Sequence, residues 1–184
     1  MRYFQLKPYG EMERVEGQPV VEAPRCSTCG RVKGRGDSSL VVRFTDPGPH
    51  PDALGVLFGP EWAASPRMRS VIDSVIDQPP RYEPILTEAG TALAHQQVLL
   101  AHTLRVGRQS IRGGEACEEC GGYVQLSLEP LFLRRPVGGE PVLAYLLESP
   151  AVILVREDLA RALEVAKVDV ELSPVLFEGE EVPE

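Results

Sequence analysis

The sequence predicts an α+β fold built from two related halves, each containing a β-α-β unit and a cysteine knuckle. Three observations lead to this prediction. A CxxCG motif begins at Cys26 and begins again at Cys117, 91 residues later. Two segments with apolar residues at helical spacing are separated by the same distance. Each of these segments is followed by an extended segment. The predicted halves are residues 1–86 and 87–184, which can also pack as one compact domain.

The N-terminal half begins with a short predicted strand at residues 3–6. Leu40–Phe44 is β-branched and apolar, and it predicts a second strand. Prolines and a glycine indicate a turn over residues 45–51, and a further short strand is expected at residues 56–58.

The first predicted helix begins at Pro66. Ser65 can accept hydrogen bonds from the first backbone N–H groups, and proline is tolerated in the first helical turn. Pro79 ends the pattern, and residues 82–86 are expected to be extended. The apolar face of this helix repeats at helical spacing: Met68, Val71, Ile72 and Val75.

The C-terminal half begins with a predicted helix at residues 91–106, because leucines recur there and β-branched residues are few. This helix would place His95 and His102 on one face. Residues 123–128 alternate between apolar and polar side chains and predict a strand.

The chain ends in its clearest β-α-β pattern. A buried strand is predicted at residues 151–155, a helix at 157–167 and a returning strand at 169–176. The apolar face of this helix matches the first helix position by position at the spacing of the cysteine motifs: Leu159, Ala162, Leu163 and Ala166.

The two motifs contain every cysteine of the chain, namely Cys26, Cys29, Cys117 and Cys120. A CxxC turn directs two thiolates at one centre, and the glycine after the second cysteine can adopt positive φ. Four thiolates are the ligand set of a closed structural Zn²⁺ site, which holds a fold together and leaves no position for a substrate. The alternatives are a redox pair and a disulfide. We expect one such ion to join the two halves, while the spacing alone leaves open whether the knuckles bind separately.

Composition and charge exclude several classes of protein. The chain has 184 residues with 43% hydrophobic and 25% charged residues, which is ordinary globular composition. A net charge of −8 argues against a general nucleic-acid binder. No apolar run approaches the roughly 20 residues that span a bilayer, so we expect no membrane partner. No secretory signal is visible, and thiols arranged for metal favour the reducing cytoplasm.

The sequence contains no catalytic constellation, and we expect a protein that is not an enzyme. It has no GxSxG elbow, no phosphate-binding loop and no dinucleotide-binding fingerprint. No acidic residue lies three or four positions from His95 or His102. The charged residues near the knuckles differ in sign, since Arg25 and Lys33 flank the first and Glu118 and Glu119 lie in the second.

The paired CxxCG knuckles resemble the double-CXXCG motif family, known mostly from myxobacteria. The opening residues 1–6 and the strand–helix ending at residues 149–163 resemble it as well. In this chain Ser27 and Glu118 follow the first cysteine of each motif, where relatives often have proline. The resemblance implies a cytoplasmic, non-enzymatic immunity protein of the Sit type. Such a protein binds and neutralises a cognate protein toxin exchanged between sibling cells, and the oligomeric state is left open.

Two other functions remain as alternatives. The four cysteines, together with the basic residues around the first knuckle, are also typical of a zinc-ribbon nucleic-acid or transcription-associated module. A thiol-disulfide enzyme could use one CxxC pair, but neither pair follows an apolar strand and opens a helix.

Overall fold

The computed structural model describes residues 2–15, 26–29, 40–44, 49–57, 61–112, 117–120, 126–137 and 139–181. In chain order, the N-terminal elements are β1 (Tyr3–Lys7), β2 (Gly10–Arg14), β3 (Leu40–Phe44), β4 (Ala53–Val56), β5 (Trp62–Ala64), α1 (Pro66–Val75), β6 (Arg81–Thr87) and β7 (Ala92–Leu99). These are followed by β8 (Thr103–Leu104), a short 3-10 helix (Arg108–Ser110), β9 (Phe132–Leu133), β10 (Leu143–Leu146), β11 (Ser149–Arg156), α2 (Glu157–Val165) and β12 (Glu171–Phe177). Mixed sheets and two helices make the protein α+β, as the sequence predicts.

Six strands close into a barrel in the order β2-β3-β6-β7-β5-β4. Buried apolar side chains of the barrel strands form one cluster, which includes Met12, Val42 and Ile85. Five of its strands come from the first 87 residues, and the sixth is β7. β7 lies between β5 and β6 and is antiparallel to both.

The other six strands form a sheet in the order β8-β10-β11-β1-β12-β9. Its centre is β1, the first strand of the chain, which is antiparallel to both β11 and β12. A bridge between Val106 and Leu133 joins the chain beyond β8 to β9, so the two edges of this sheet approach each other. Its own apolar cluster includes Tyr3, Leu133 and Leu154.

The barrel and the sheet have the same arrangement of neighbouring strands. The strands β2 to β6 of the barrel correspond, in order, to β8 to β12 of the sheet. The pairings also correspond: β2 is parallel to β4 as β8 is to β10, and β3 is parallel to β6 as β9 is to β12. β7 takes the place in the barrel that β1 takes in the sheet. β1 thus belongs to the sheet formed mainly by strands after residue 87, and β7 belongs to the barrel formed otherwise by strands up to that residue. The division into two halves between residues 86 and 87 stays a prediction.

The two helices pack against each other over a core that both sheets share. As predicted, α1 begins at Pro66 with Ser65 as its cap, since Ser65 Oγ accepts a hydrogen bond of 3.1 Å from the backbone N–H of Met68. The shared core contains Leu6 and Ile153 from the sheet, Trp62 and Val98 from the barrel, and one face of each helix: Met68, Ile72, Leu159, Ala160 and Leu163. Each fully buried large side chain contributes about 1.5–3 kcal/mol relative to exposure.

The predicted helix at residues 91–106 is wrong, because the structure places β7 and β8 there. The face of β7 that points into the barrel carries the buried polar residues His95 and Gln97. Polar residues at buried positions hide the apolar alternation that identifies a strand. Pairing with β5 and β6 then overrides the helical propensity of alanine and leucine.

The remaining element predictions fared better. β3, β6, β11 and β12 confirm predicted strands, and α2 confirms the second helix with an end at Val165. The strand expected at residues 56–58 begins earlier, as β4, and its last position lies outside the described residues. The first half of the strand expected at residues 123–128 also lies outside them, and in the described half Leu126 forms an isolated bridge with Ile111.

Candidate metal centre

Each CxxC motif forms a tight turn in which backbone N–H groups point at the Sγ atom of the first cysteine. The backbone N–H groups of Cys29 and Thr28 interact with the Cys26 thiol, and those of Cys120 and Glu119 interact with the Cys117 thiol. The two turns are thus built alike, and each stabilises a thiolate through N–H donors. The predicted role of Gly30 and Gly121 concerns positions outside the described residues.

The two turns bring all four cysteines together. Their Sγ atoms lie within 4.8 Å of one another. Cys26 Sγ is 3.6 Å from Cys117 Sγ, and Cys29 Sγ is 3.7 Å from Cys120 Sγ. Four sulfurs placed tetrahedrally about 2.3 Å from a metal ion are about 3.8 Å apart. A disulfide would need about 2.05 Å, and the four cysteines are free thiols. The spacing therefore fits four ligands around one shared ion.

The environment of the thiols differs between the two knuckles. Cys26 is buried, with 2% of its surface exposed, and the other three cysteines are partly buried. Burial raises the pKa of Cys26 to about 12 despite the nearby backbone N–H groups. At Cys117 the N–H groups of Cys120 and Glu119 outweigh burial and lower the pKa to about 7. A metal ion that takes all four sulfurs must therefore displace protons.

A carboxylate joins the two knuckles beside the cysteines. Glu119 Oε2 accepts hydrogen bonds from Ser27 Oγ at 2.5 Å, Thr28 Oγ1 at 2.8 Å and the Thr28 backbone N–H at 3.2 Å. The sequence shows that the knuckles differ in charge, but it does not show that Glu119 meets two hydroxyls of the first knuckle. One sequence feature could have indicated this contact. The two residues between the cysteines are Ser-Thr in the first motif, which can donate hydrogen bonds, and Glu-Glu in the second, which can accept them. Arg25 and Lys33 lie outside the described residues.

The arrangement has a limited chemical repertoire. Thiolates suit Zn²⁺, Cu(I) and iron–sulfur clusters, and the four cysteines can hold a metal ion. Four protein ligands around one tetrahedral ion leave no coordination position for water or substrate. Such a site connects the two segments of chain and does not polarise a bound molecule.

His95 and His102 do not lie on one helix, contrary to the sequence prediction. His95 lies on β7, where its Nε2 is 2.8 Å from the backbone oxygen of Pro51. Its ring meets the ring of His50 edge-on at 6.3 Å, and His50 stacks on Phe44 at 3.6 Å. His102 lies after β7 and lines a cavity at the end of α1. Since no helix is present there, His95 and His102 do not share a helix face.

Neither a protein-family model nor a curated protein matches this chain. Among the residues that the structure describes, no helix is both long enough and apolar enough to cross a lipid bilayer.

Proposed function

We propose that this chain is a non-enzymatic immunity protein that binds and neutralises a cognate protein toxin in the cytoplasm, with one structural Zn²⁺ between its two knuckles. The observation that carries the metal assignment is the cluster of four free thiols within 4.8 Å. Every cysteine of the chain belongs to it. Zinc is the metal proposed because it forms closed tetrahedral four-cysteine sites that have no redox chemistry.

The proposed zinc joins two related halves of the molecule. The shared strand order and the corresponding pairings of barrel and sheet support this relationship. The cysteines that face each other also occupy equivalent positions in the two motifs. The first cysteines, Cys26 and Cys117, form one close pair, and the second cysteines, Cys29 and Cys120, form the other. A metal ion at the contact of the two motifs would lie near the axis that relates the halves.

The immunity function rests on the resemblance to the double-CXXCG family. A protein of this kind needs a rigid, specific surface and no reaction centre, and a closed thiolate site that joins two segments of the chain would supply rigidity. The net charge of −8 suits capture of a basic toxin, because complementary charge mainly raises association rates.

Growth rescue tests this proposal directly. The product of the neighbouring open reading frame would be expressed in a bacterial host, with and without this chain. We expect toxicity alone, normal growth with the chain and copurification of the two proteins. Persistent toxicity with no complex would contradict the proposal. A Cys117→Ser variant serves as a control for dependence on the folded scaffold.

A nucleic-acid-binding module remains as a second candidate because of one feature of the sheet. Arg105 and Arg134 lie opposite each other, and the Arg134 N–H donates to the Arg105 oxygen at 2.9 Å. The corresponding pair in the barrel is Glu13 with Arg43, which carries opposite charges. Like charges at opposed positions are unfavourable unless an anion joins them. Filter binding of single-stranded oligonucleotides at low salt, compared with an Arg105→Glu variant, tests this candidate.

A further inference from the structure

A cavity of about 740 Å³ opens at the C-terminal end of α1. Ile76 and Asp77, which follow α1, line one side, and Glu140 and Val142, which precede β10, line another. Leu99, at the end of β7, belongs to the same lining. The cavity thus lies where the barrel, the sheet and the first helix meet, with mainly apolar walls and a few charged groups.

The charged groups of this cavity favour a cation. Among the described residues, the carboxylates of Asp77 and Glu140 have no ion-pair partner, whereas Arg81 is paired with Glu83 at 2.7 Å. Pro79 and Pro80 have no backbone N–H and cannot donate to the last carbonyls of the helix. In the described part of the chain, no backbone donor reaches the carbonyls of residues 73–76. The C-terminal end of a helix carries partial negative charge, which adds to that of the two carboxylates.

At the C-terminal end of α2, a guanidinium donates hydrogen bonds to the last backbone carbonyls. There the guanidinium of Arg67, from the first turn of α1, donates to the backbone oxygens of Ala166 and Lys167. It also lies 3.4 Å from Asp52. An arginine of the chain itself therefore closes the C-terminal end of α2.

The same contact is impossible at the end of α1. The residue of α2 that corresponds to Arg67 is Asp158, which is paired with Arg156 at 2.5 Å. The residue that corresponds to Asp52 is Val142.

Two guanidinium groups of the chain lie near this cavity, since Arg81 is part of its lining and Arg156 donates to the Glu140 backbone oxygen at 2.7 Å. Among the described residues, however, neither donates to the last carbonyls of α1 as Arg67 does at the end of α2, and a cavity remains there.

We propose that this cavity receives an arginine side chain of a partner protein. The guanidinium would interact with Asp77, Glu140 and the end of α1, and its aliphatic stem would pack on the apolar wall around Leu99 and Val142. The proposal rests on the proposed function in one respect, since the partner is then the cognate toxin. It also agrees with the choice of a basic partner for a chain of net charge −8.

A peptide probe tests the chemistry of the cavity without any toxin. Acetyl-Gly-Arg-Gly-amide and its citrulline analogue, which has the same shape without the charge, would be titrated into the isotope-labelled protein. We expect the arginine peptide to shift the amide resonances of Asp77, Gln78 and His102 with saturation, and the citrulline peptide to shift them at least about tenfold more weakly. Equal effects of the two peptides, or no saturable shift at these residues, would overturn the proposal.

A pair of double variants tests the same site in the complex. Asp77→Asn with Glu140→Gln removes both cavity carboxylates, and Glu164→Gln with Glu181→Gln removes two exposed carboxylates elsewhere. We expect the first pair to raise the Kd for the toxin at least about tenfold and the second to leave it within about twofold. Equal affinities of both pairs would overturn the proposal. If the neighbouring product is not a toxin while the arginine peptide still binds the cavity, the proposed function fails and the cavity assignment stands.

Discussion

At the residue scale, the carboxylate of Glu119 is the clearest contact between the two knuckles outside the sulfurs. It accepts three hydrogen bonds from Ser27 and Thr28, and a charged acceptor makes each bond stronger than a neutral one. It therefore helps to fix how the first turn is placed against the second. The neighbouring Glu118 has an exposed side chain and lies in the same turn.

Replacing Glu119 by alanine should lower the melting temperature of the metal-free protein by about 2–6 °C, because the hydroxyls and N–H of the first knuckle lose their acceptor. Differential scanning calorimetry of the chelated protein measures this change. Glu118→Ala is the matched control and should have little effect. Identical melting temperatures for the two variants would show that the contact does not stabilise the protein.

A second residue-scale prediction concerns pH and Asp158. The hydrogen-bonded Arg156 guanidinium, with the N–H of Leu159, holds the pKa of Asp158 below its ordinary value of 3.8. Because the folded pKa is the lower one, Asp158 stabilises the fold above its ordinary pKa, and that stabilisation is lost as pH falls through the folded pKa. Asp158→Asn should therefore be less stable than the wild type at pH 7, with a smaller difference at pH 3. Urea unfolding at both pH values checks this, and a constant difference would contradict it.

At the element scale, a helix or strand could be predicted from the sequence when its buried face is apolar. α1 was predictable because Ser65, Pro66 and the apolar face all indicate the same start. β7 was not, because its buried face carries the polar residues His95 and Gln97, which break the apolar alternation of a strand. The four cysteines could be predicted as metal ligands from their motif. Their meeting at one centre, like the contact of Glu119 with Ser27, depends on the relative orientation of the two turns.

The cap of α1 gives a prediction at this scale. Ser65→Ala removes the acceptor for the N–H of Met68 and a hydrogen-bond donor to Asp52, which should reduce the free energy of unfolding by about 1 kcal/mol. Chemical denaturation measures the change. Ser74→Ala, in the exposed last turn of the same helix, is the control and should alter stability less. A larger effect at Ser74 would contradict the assigned cap.

At the scale of the whole molecule, the exchange of β1 and β7 makes each sheet depend on both ends of the chain. β1 is the central strand of the sheet that otherwise holds C-terminal strands, and β7 lies within the barrel formed by N-terminal strands. Leu6 of β1 and Val98 of β7 both contribute to the shared core. Neither sheet is complete without a strand from the other side of residue 86.

Separate fragments of residues 1–86 and 87–184 should therefore fail to fold alone. We expect poorly dispersed amide spectra for each fragment, and recovery of native-like dispersion when the two are mixed, because mixing restores both exchanged strands. The intact chain is the reference. Cooperative folding of either fragment alone would show that the exchanged strand is dispensable.

The metal content of the purified chain tests whether the two knuckles share one metal ion, as proposed. Elemental analysis combined with native mass spectrometry should give one zinc ion per chain for the wild type. The same measurement should give essentially none for the Cys26→Ser and Cys117→Ser variants, since each removes a ligand from the same site. Two ions per chain, no ion in the wild type, or one ion retained after either substitution would contradict the shared site.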